Sequence, residues 1–231
     1  MNLNPNNLQL RVLSGIAGIA ITSLLLWLGA YGFLIWLCVI SLLGLNEFTQ
    51  LFQKNGYPLG LFPGMVCGVL SFAIGTAVAA NFLSTAALLY IPMIWVFGAI
   101  SLLYDKDSNA VQKAAFLLLC MVYVPLPMVS YVAAVWVFGH FKLQLALGLI
   151  SLLWASDSGA YFVGKFFGRR KLFERISPKK TWEGLFGGMA VSLLTAFIWA
   201  QNTDFMPQHH WYILSLIIVI VGTWGDLVES M

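Results

Sequence analysis

Long apolar runs recur along the whole chain, and short polar segments separate them. Most runs have about the 20 residues that an α-helix needs to cross the hydrocarbon core of a bilayer. The pattern therefore predicts an all-α fold, a polytopic integral membrane bundle of about eight transmembrane helices. The predicted spans are residues 12–28, 31–52, 61–80, 84–104, 114–138, 143–164, 184–201 and 211–228.

No soluble domain interrupts these spans, so we predict one membrane domain over residues 1–231. Its N-terminal helices occupy about 12–138, and a second half of about 143–231 holds most of the polar motifs. Two local features shape the bundle. Glycines four residues apart (Gly60, Gly64, Gly68 and Gly184, Gly188) predict close helix packing, and the two prolines in "YVPLP" predict a kink or break in the fifth span.

The basic residues in the loops predict the orientation. Of the 12 Lys and Arg residues, only Lys142 falls outside when the N-terminus is placed in the cytoplasm. Lys113 then lies in the cytoplasmic loop before the fifth span. Cytoplasmic loops favour Lys and Arg, so we predict a multi-pass protein of the cell (inner) membrane with its active face in the cytoplasm.

Composition excludes the main alternatives. A mean hydropathy of +0.87 with 9% charged residues lies far outside the range of soluble domains, in which about a quarter of residues are charged. The basic residues have no soluble domain to sit on, so no nucleic-acid partner is expected. Cys38, Cys67 and Cys120 lie inside apolar runs and are predicted to be packing residues.

Charge is concentrated between the sixth and seventh spans. Topology and contact with anionic headgroups explain "GRRK" (168–171), but they do not explain two adjacent lysines followed at once by Thr181, Trp182 and Glu183. Seven of the 12 basic residues lie in this segment: Lys165, Arg169, Arg170, Lys171, Arg175, Lys179 and Lys180.

Ser177 and Pro178 form a helix-start signal, an N-cap serine followed by proline in the first turn. The next free backbone N–H groups would belong to Lys179 and Lys180. A helix N-terminus with two attached lysines favours phosphate, so we predict a polyphosphate site at the membrane surface.

Carboxylates lie near the same membrane face. Asp157 is an ionisable residue within the sixth span, which makes it a functional candidate. On a helix it forms one stripe with Tyr161 and Lys165, directed towards the basic loop. A structural pairing of Asp157 with a lysine is the alternative.

Asp226 and Glu229 are spaced i, i+3 at the cytoplasmic end of the last span, so one helical face carries both carboxylates. Mg²⁺ binds through one or two carboxylates together with substrate phosphates. The set Asp157, Lys179, Lys180, Asp226 and Glu229 therefore predicts a magnesium-dependent phosphate site.

At these residues the sequence resembles the CTP:phosphatidate cytidylyltransferase (CDP-diacylglycerol synthase) family. The resemblance covers nearly the whole chain, and "SPKKTWEG" is its most specific part. The matching segments are "DSGAYFVGKFFGRRKL" (157–172), "SPKKTWEGLFGG" (177–188), "GDLVESM" (225–231), "NEFTQLFQKNG" (46–56) and "LQLRVLSGIAGIAI" (8–21).

The resemblance implies a Mg²⁺-dependent transfer of CMP from CTP to phosphatidate, giving CDP-diacylglycerol and pyrophosphate for phospholipid synthesis. Asp157, Lys179, Lys180 and Asp226 would be catalytic, and Asp226, Glu229 and Asp157 would hold Mg²⁺, with a second cation as an open alternative. Asp157 could instead orient the nucleotide. The implied partners are CTP, phosphatidate, membrane lipid and, for a homodimer, a second copy of the chain. Substrate would bind at Ser177, Lys179, Lys180, Thr181, Tyr161, Lys165 and Arg175.

In the family that this sequence resembles, the chain continues after the "GDLVES" block with further basic residues and an acidic metal-binding element. This sequence stops at Met231. We therefore expect a truncated chain that lacks a second metal-binding carboxylate. On that expectation, residues 1–231 alone turn over little or no CTP.

Two other functions fit parts of the pattern. A CTP-dependent polyprenol or lipid kinase would also need cytoplasmic lysines and carboxylates, but it would release CDP. A membrane transporter would suit Asp157 within a span, although transport predicts polar residues near the midplane and on both sides.

Overall fold

In the computed structural model, helices account for most of the described residues, which are 17–54, 61–101, 110–137 and 139–230. Two short antiparallel hairpins, β1–β2 and β3–β4, interrupt the helices. The elements are α1 (described over Ala17–Trp27), α2 (Gly29–Lys54), α3 (Leu61–Ala79), a 3₁₀ turn (Thr85–Leu89), α4 (Tyr90–Ser101), α5 (Ala110–Tyr123), α6 (Pro125–Val135), β1 (Trp136–Val137), β2 (His140–Phe141), α7 (Leu143–Phe167), β3 (Lys171–Phe173), β4 (Ser177–Thr181), α8 (Trp182–Asn202) and α9 (Gln208–Glu229).

The predicted all-α membrane fold is confirmed. Five apolar helical segments in the described residues are long enough to cross a bilayer, and three shorter apolar helices occupy the other predicted spans. The five are Gly29–Leu51, Val111–Val135, Leu143–Phe167, Trp182–Asn202 and Gln208–Glu229; the three are Ala17–Trp27, Pro63–Ala79 and Thr85–Ile100.

The fifth predicted span breaks where the prolines were expected to break it. α5 ends at Tyr123 and α6 begins at Pro125. Between them Val124 has φ −116° and ψ −68°, away from ideal helical values. The predicted loop position of Lys113 is wrong, because α5 already begins at Ala110 and buries this lysine to 3% exposure.

The chain divides into two compact units, residues 1–143 and 144–231. In the first unit the core includes Cys67 and Cys120, which are free and buried as predicted. The Trp95 indole donates a hydrogen bond of 2.6 Å to the Ser71 hydroxyl in this core. Gly64 and Gly68 each lie against a leucine of a neighbouring helix, while Gly60 lies outside the described residues.

In the second unit, hydroxyl groups join α7, α8 and α9 inside the apolar bundle. The Ser215 hydroxyl donates to Ser192 Oγ at 2.9 Å, and Ser192 donates to the Leu152 carbonyl at 3.2 Å. At the opposite end of α8 from β4, the indoles of Trp199 and Trp211 stack with ring centroids 5.6 Å apart. These bonds satisfy polar groups that would otherwise be costly in an apolar interior.

Glycines bring α7 and α8 into backbone contact, as the Gly184–Gly188 spacing predicted. A Cβ atom on Gly188 would lie 2.7 Å from the Ser156 carbonyl oxygen, and one on Gly184 would lie 2.9 Å from that of Ala160. A Cβ on Gly159 would come within 2.8 Å of the Gly187 carbonyl oxygen. This contact holds the start of α8 beside the part of α7 that carries Asp157.

Candidate active site

A cavity of about 580 Å³ lies in the second unit. α7, β4, α8 and α9 all contribute to its wall. The polar part of the wall contains most of the predicted site residues, and leucines and Ile218 line the apolar part. We refer to this space as the cavity.

α7 presents the predicted stripe to the cavity. Asp157, Tyr161 and Lys165 all line it, one helical turn apart. The Lys165 ammonium lies 5.6 Å from the centroid of the Tyr161 ring, a cation–π distance. Asp157 interacts electrostatically with both Asp226 and Lys180. The structure thus brings the α7 carboxylate close to groups from β4 and α9.

The predicted helix start at Ser177 is wrong. Residues Ser177–Thr181 form β4, which pairs with β3, and α8 begins only at Trp182. The N-cap is Thr181, whose hydroxyl accepts a hydrogen bond of 3.1 Å from the Gly184 N–H. The Ser-Pro signal failed because pairing with β3 extends this segment. Lys179 and Lys180 therefore reach the cavity from a strand and not from a helix N-terminus.

A bulge in β4 explains how two adjacent lysines reach the same cavity. Lys171 pairs with Thr181 and Phe173 with Ser177, so one β3 residue faces three β4 residues, Pro178, Lys179 and Lys180. In a regular strand neighbouring side chains point to opposite faces, but a bulge re-aims them. Lys179, Lys180 and Thr181 all line the cavity.

Lys180 connects the bulge to α9. Its ammonium group lies 3.0 Å from Asp226 Oδ2 and donates a hydrogen bond of 3.3 Å to the Thr223 carbonyl oxygen. Both acceptors are in the last two turns of α9, where a positive charge also complements the helix dipole. The Asp226 side chain is 60% exposed and that of Lys180 26%, so water screens the ion pair and it is only weakly stabilising.

Three predicted residues are not among the described residues that line the cavity. Ser177 pairs with Phe173 in the hairpin, and Arg175 lies in the turn between β3 and β4. Glu229 is the last residue of α9, one turn beyond Asp226, and is exposed. Both Ser177 and Arg175 thus lie at the turn end of the hairpin, before the bulge that carries Lys179 and Lys180.

Asp157 and Asp226 are the two carboxylates that could hold a divalent cation in the cavity. Within the described ranges, no three His, Cys, Asp or Glu side chains gather as in a metal site built from protein ligands alone. Two carboxylates fit a different kind of site, in which Mg²⁺ takes its remaining ligands from substrate phosphate and water. The donor set therefore fits Mg²⁺ that is bound together with a phosphate compound.

Glu183 contacts this region in a way that sequence reasoning missed. Its carboxylate accepts hydrogen bonds from the backbone N–H groups of Arg169, at 3.1 Å, and Arg170, at 3.1 and 3.2 Å. The partners lie 13 and 14 residues earlier in the chain. An acidic residue in the first turn of a helix usually indicates an interaction with the helix's own N-terminus; this longer-range contact becomes visible only when β3 and β4 are paired.

The combined chemistry is that of a site for a metal-bound phosphate. Three lysines, Lys165, Lys179 and Lys180, and two carboxylates line one cavity beside the C-terminal halves of α7 and α9. The lysines offer charge to phosphate oxygens, and the carboxylates offer oxygen ligands to a hard cation. The apolar wall extends along α9 to Ile218, two turns before Asp226.

Residues 9–231 match the sequence model of a family described as the cytidylyltransferase family. The chain is also similar to bacterial proteins named phosphatidate cytidylyltransferase. It is 32% identical to that of Haemophilus influenzae, over 97% of this chain and 85% of the relative. It is 29% identical to that of Staphylococcus haemolyticus, over 96% and 84% of the two chains, and 28% identical to that of a Synechocystis species, over 96% and 82%.

Proposed function

The chain belongs to the cytidylyltransferase family, and from that premise we propose that it is a phosphatidate cytidylyltransferase of phospholipid synthesis. It transfers the cytidylyl group of CTP to phosphatidate and forms CDP-diacylglycerol and pyrophosphate. The observation that carries the proposal is the cavity in which Lys179, Lys180, Asp157 and Asp226 meet within the matched region.

The reaction is a displacement at phosphorus. A phosphate oxygen of phosphatidate attacks the α-phosphorus of CTP, a new P–O bond forms, and the bond from the α-phosphorus to the α,β-bridging oxygen breaks. The electron pair of that bond leaves with pyrophosphate. Attack by the lipid phosphate needs no protein nucleophile, so the protein contributes position and charge.

Each polar group of the cavity has a role in this scheme. Lys179 and Lys180 hold the β- and γ-phosphates and stabilise the charge that develops on pyrophosphate. Asp157 and Asp226 hold Mg²⁺, which when bound offsets charge on the phosphate oxygens. The same cavity is also lined by Tyr161, Lys165 and Thr181, which enclose the substrate. Because Asp226 is ion-paired with Lys180, binding of the substrate separates that pair.

The setting suits a lipid substrate. The cavity continues from the charged end of α9 to apolar residues within the predicted membrane depth. The phosphatidate backbone would lie beside the apolar residues, and its phosphate would lie at the charged end, at the membrane surface. Since Lys and Arg favour the cytoplasmic side, we place the charged end there, in the inner membrane. CTP then arrives from the cytoplasm.

The test is binding of CTP to the purified chain in detergent, with and without Mg²⁺. We expect Mg²⁺-dependent binding that Lys179→Ala/Lys180→Ala weakens by about a hundredfold or more, since each lost charged contact contributes about 1.5–3 kcal/mol. Lys142→Ala, at the opposite end of α7, is the matched control and should bind CTP as the parent does. CTP affinity that is equal in the double variant and the parent would refute the proposal.

The products distinguish this function from its rivals. With phosphatidate and CTP, the transferase releases pyrophosphate, whereas a CTP-dependent lipid kinase releases CDP. Assay of both products by anion-exchange chromatography separates the two. A transporter would instead move a solute into liposomes without consuming CTP.

A further inference from the structure

Glu183 is not among the residues that line the cavity, but it follows the β3–β4 hairpin directly and contacts the residues that precede it. α8 starts at Trp182, with Thr181 as its N-cap, so Glu183 is in the first turn. Its carboxylate reaches the backbone N–H groups of Arg169 and Arg170, just after the end of α7. The residue before Glu183 adds a second link, because the Trp182 N–H donates a hydrogen bond of 3.0 Å to the Arg170 carbonyl oxygen. These contacts close the base of the β3–β4 hairpin.

The hairpin needs such an anchor because its own pairing is weak. Two residue pairs define its register, and a bulge separates them. A short two-stranded hairpin is marginally stable in water. A shift of one residue would also turn each side chain of β4 to the opposite face. The register decides whether Lys180 or a neighbour reaches Asp226.

A carboxylate is the group that this anchor requires. Both partner atoms are N–H donors, and an ionised carboxylate offers only acceptors. A glutamine side chain would keep one carbonyl oxygen but would place its NH₂ group against an N–H donor. Hydrogen bonds to a charged acceptor are also stronger than those between neutral groups.

From these contacts we propose that Glu183 is a positioning residue, which fixes the register of the bulged strand and so holds Lys179 and Lys180 at the cavity. The expected effect of Glu183 on CTP binding rests on the proposed function, whereas its expected effect on the register of the hairpin does not. Glu183 does not touch substrate in this scheme. It acts through the lysines.

The first experiment uses no nucleotide. Hydrogen exchange of the detergent-solubilised chain is followed by mass spectrometry in the parent, in Glu183→Gln and in Glu174→Gln. Glu174 is an exposed carboxylate in the same hairpin, so its variant makes the same charge change in the basic segment. We expect faster exchange over residues 169–170 and 177–181 in Glu183→Gln and parental exchange in Glu174→Gln. Parental exchange in both variants would overturn the proposal.

The second experiment measures Mg²⁺-dependent CTP affinity and thermal midpoint in a double-mutant cycle. We expect Glu183→Gln to weaken CTP binding about tenfold with a near-parental midpoint, and Glu174→Gln to leave the affinity unchanged. If Glu183 acts through the two lysines, adding Glu183→Gln to Lys179→Ala/Lys180→Ala causes little further loss.

Equal losses from Glu183→Gln in the parent and in Lys179→Ala/Lys180→Ala would overturn this mechanism, as would parental affinity in Glu183→Gln. A lowered midpoint with additive losses would indicate a merely structural role and would count against the proposal. If the parent itself does not bind CTP, the proposed function fails, and the hydrogen-exchange result alone decides the role of Glu183.

Discussion

Asp226 has a cationic partner within the protein, because the Lys180 ammonium lies 3.0 Å from its carboxylate. Both side chains remain partly exposed, so the ion pair adds little stability and is easily exchanged for other partners. A residue of this kind is more important for binding than for folding. Substitution of Asp226 should therefore weaken ligand binding without a comparable loss of stability.

We predict that Asp226→Asn weakens Mg²⁺-dependent CTP binding by roughly tenfold or more, while the thermal midpoint changes little. The amide keeps the shape of the side chain but loses the charge that favours a cation. Asp204→Asn is the control, since Asp204 is exposed in the loop between α8 and α9, at their opposite ends. Titration calorimetry in detergent gives both affinities, and parental affinity in Asp226→Asn would remove Asp226 from the proposed metal site.

For single residues, the sequence predicted most of the polar side chains that line the cavity but not which contacts they make. Asp157 and Asp226 were predictable because an ionisable residue within an apolar span is costly and restricted to few roles. Lys180 was predictable because two adjacent lysines are unusual in a chain with only 9% charged residues. Glu183 was not, since its partners are backbone amides 13 and 14 residues away. Ser177 was misjudged because its local preference for a helix start was overridden by pairing with Phe173.

Among the elements, α7 and α8 leave no room for a larger side chain where their backbones meet. Gly188 faces the Ser156 carbonyl oxygen and the Ala160 Cβ, which a new Cβ atom would approach to 2.7 and 3.2 Å. A carbonyl oxygen on a packed helix cannot move aside as a flexible side chain does. The two helices would have to separate.

We therefore predict that Gly188→Ala lowers stability by about 1–3 kcal/mol, the usual cost of overpacking. Gly225→Ala is the matched control, because a Cβ atom there meets no heavy atom within 4 Å, and alanine favours a helix. Thermal unfolding in detergent should show a lower midpoint for Gly188→Ala and no loss for Gly225→Ala. An unchanged midpoint for Gly188→Ala would mean that the helices are not in backbone contact.

The helices were predictable from hydropathy to within a few residues at most ends, and the prolines correctly located the break at Val124. The hairpins were not predictable from hydropathy. β1 and β2 have two residues each and β3 has three, which is too short to show a period-two pattern. Such strands form because the ends of neighbouring helices bring them together.

For the whole molecule, the distribution of Lys and Arg predicts a cytoplasmic β3–β4 hairpin and an outer α8–α9 loop. We expect a cysteine at Glu174 to react with a membrane-impermeant maleimide only after the inner face is exposed, and a cysteine at Gln201 to react in intact cells. The parent chain is the control, because its Cys67 and Cys120 are buried and Cys38 is partly so. Reaction of both new cysteines from the same side would contradict the eight-span topology.

The fold class was recognisable from composition and apolar runs alone, because a bilayer permits few ways to satisfy backbone polar groups. The alternation of the loops predicts the membrane side of the charged residues.

The described side chains of the cavity wall all come from residues between Leu153 and Asp226. In chain order, α9 supplies the last of them, from Ile218 to Asp226. During synthesis, the pocket should therefore take shape as soon as α9 of the nascent chain has entered the bilayer.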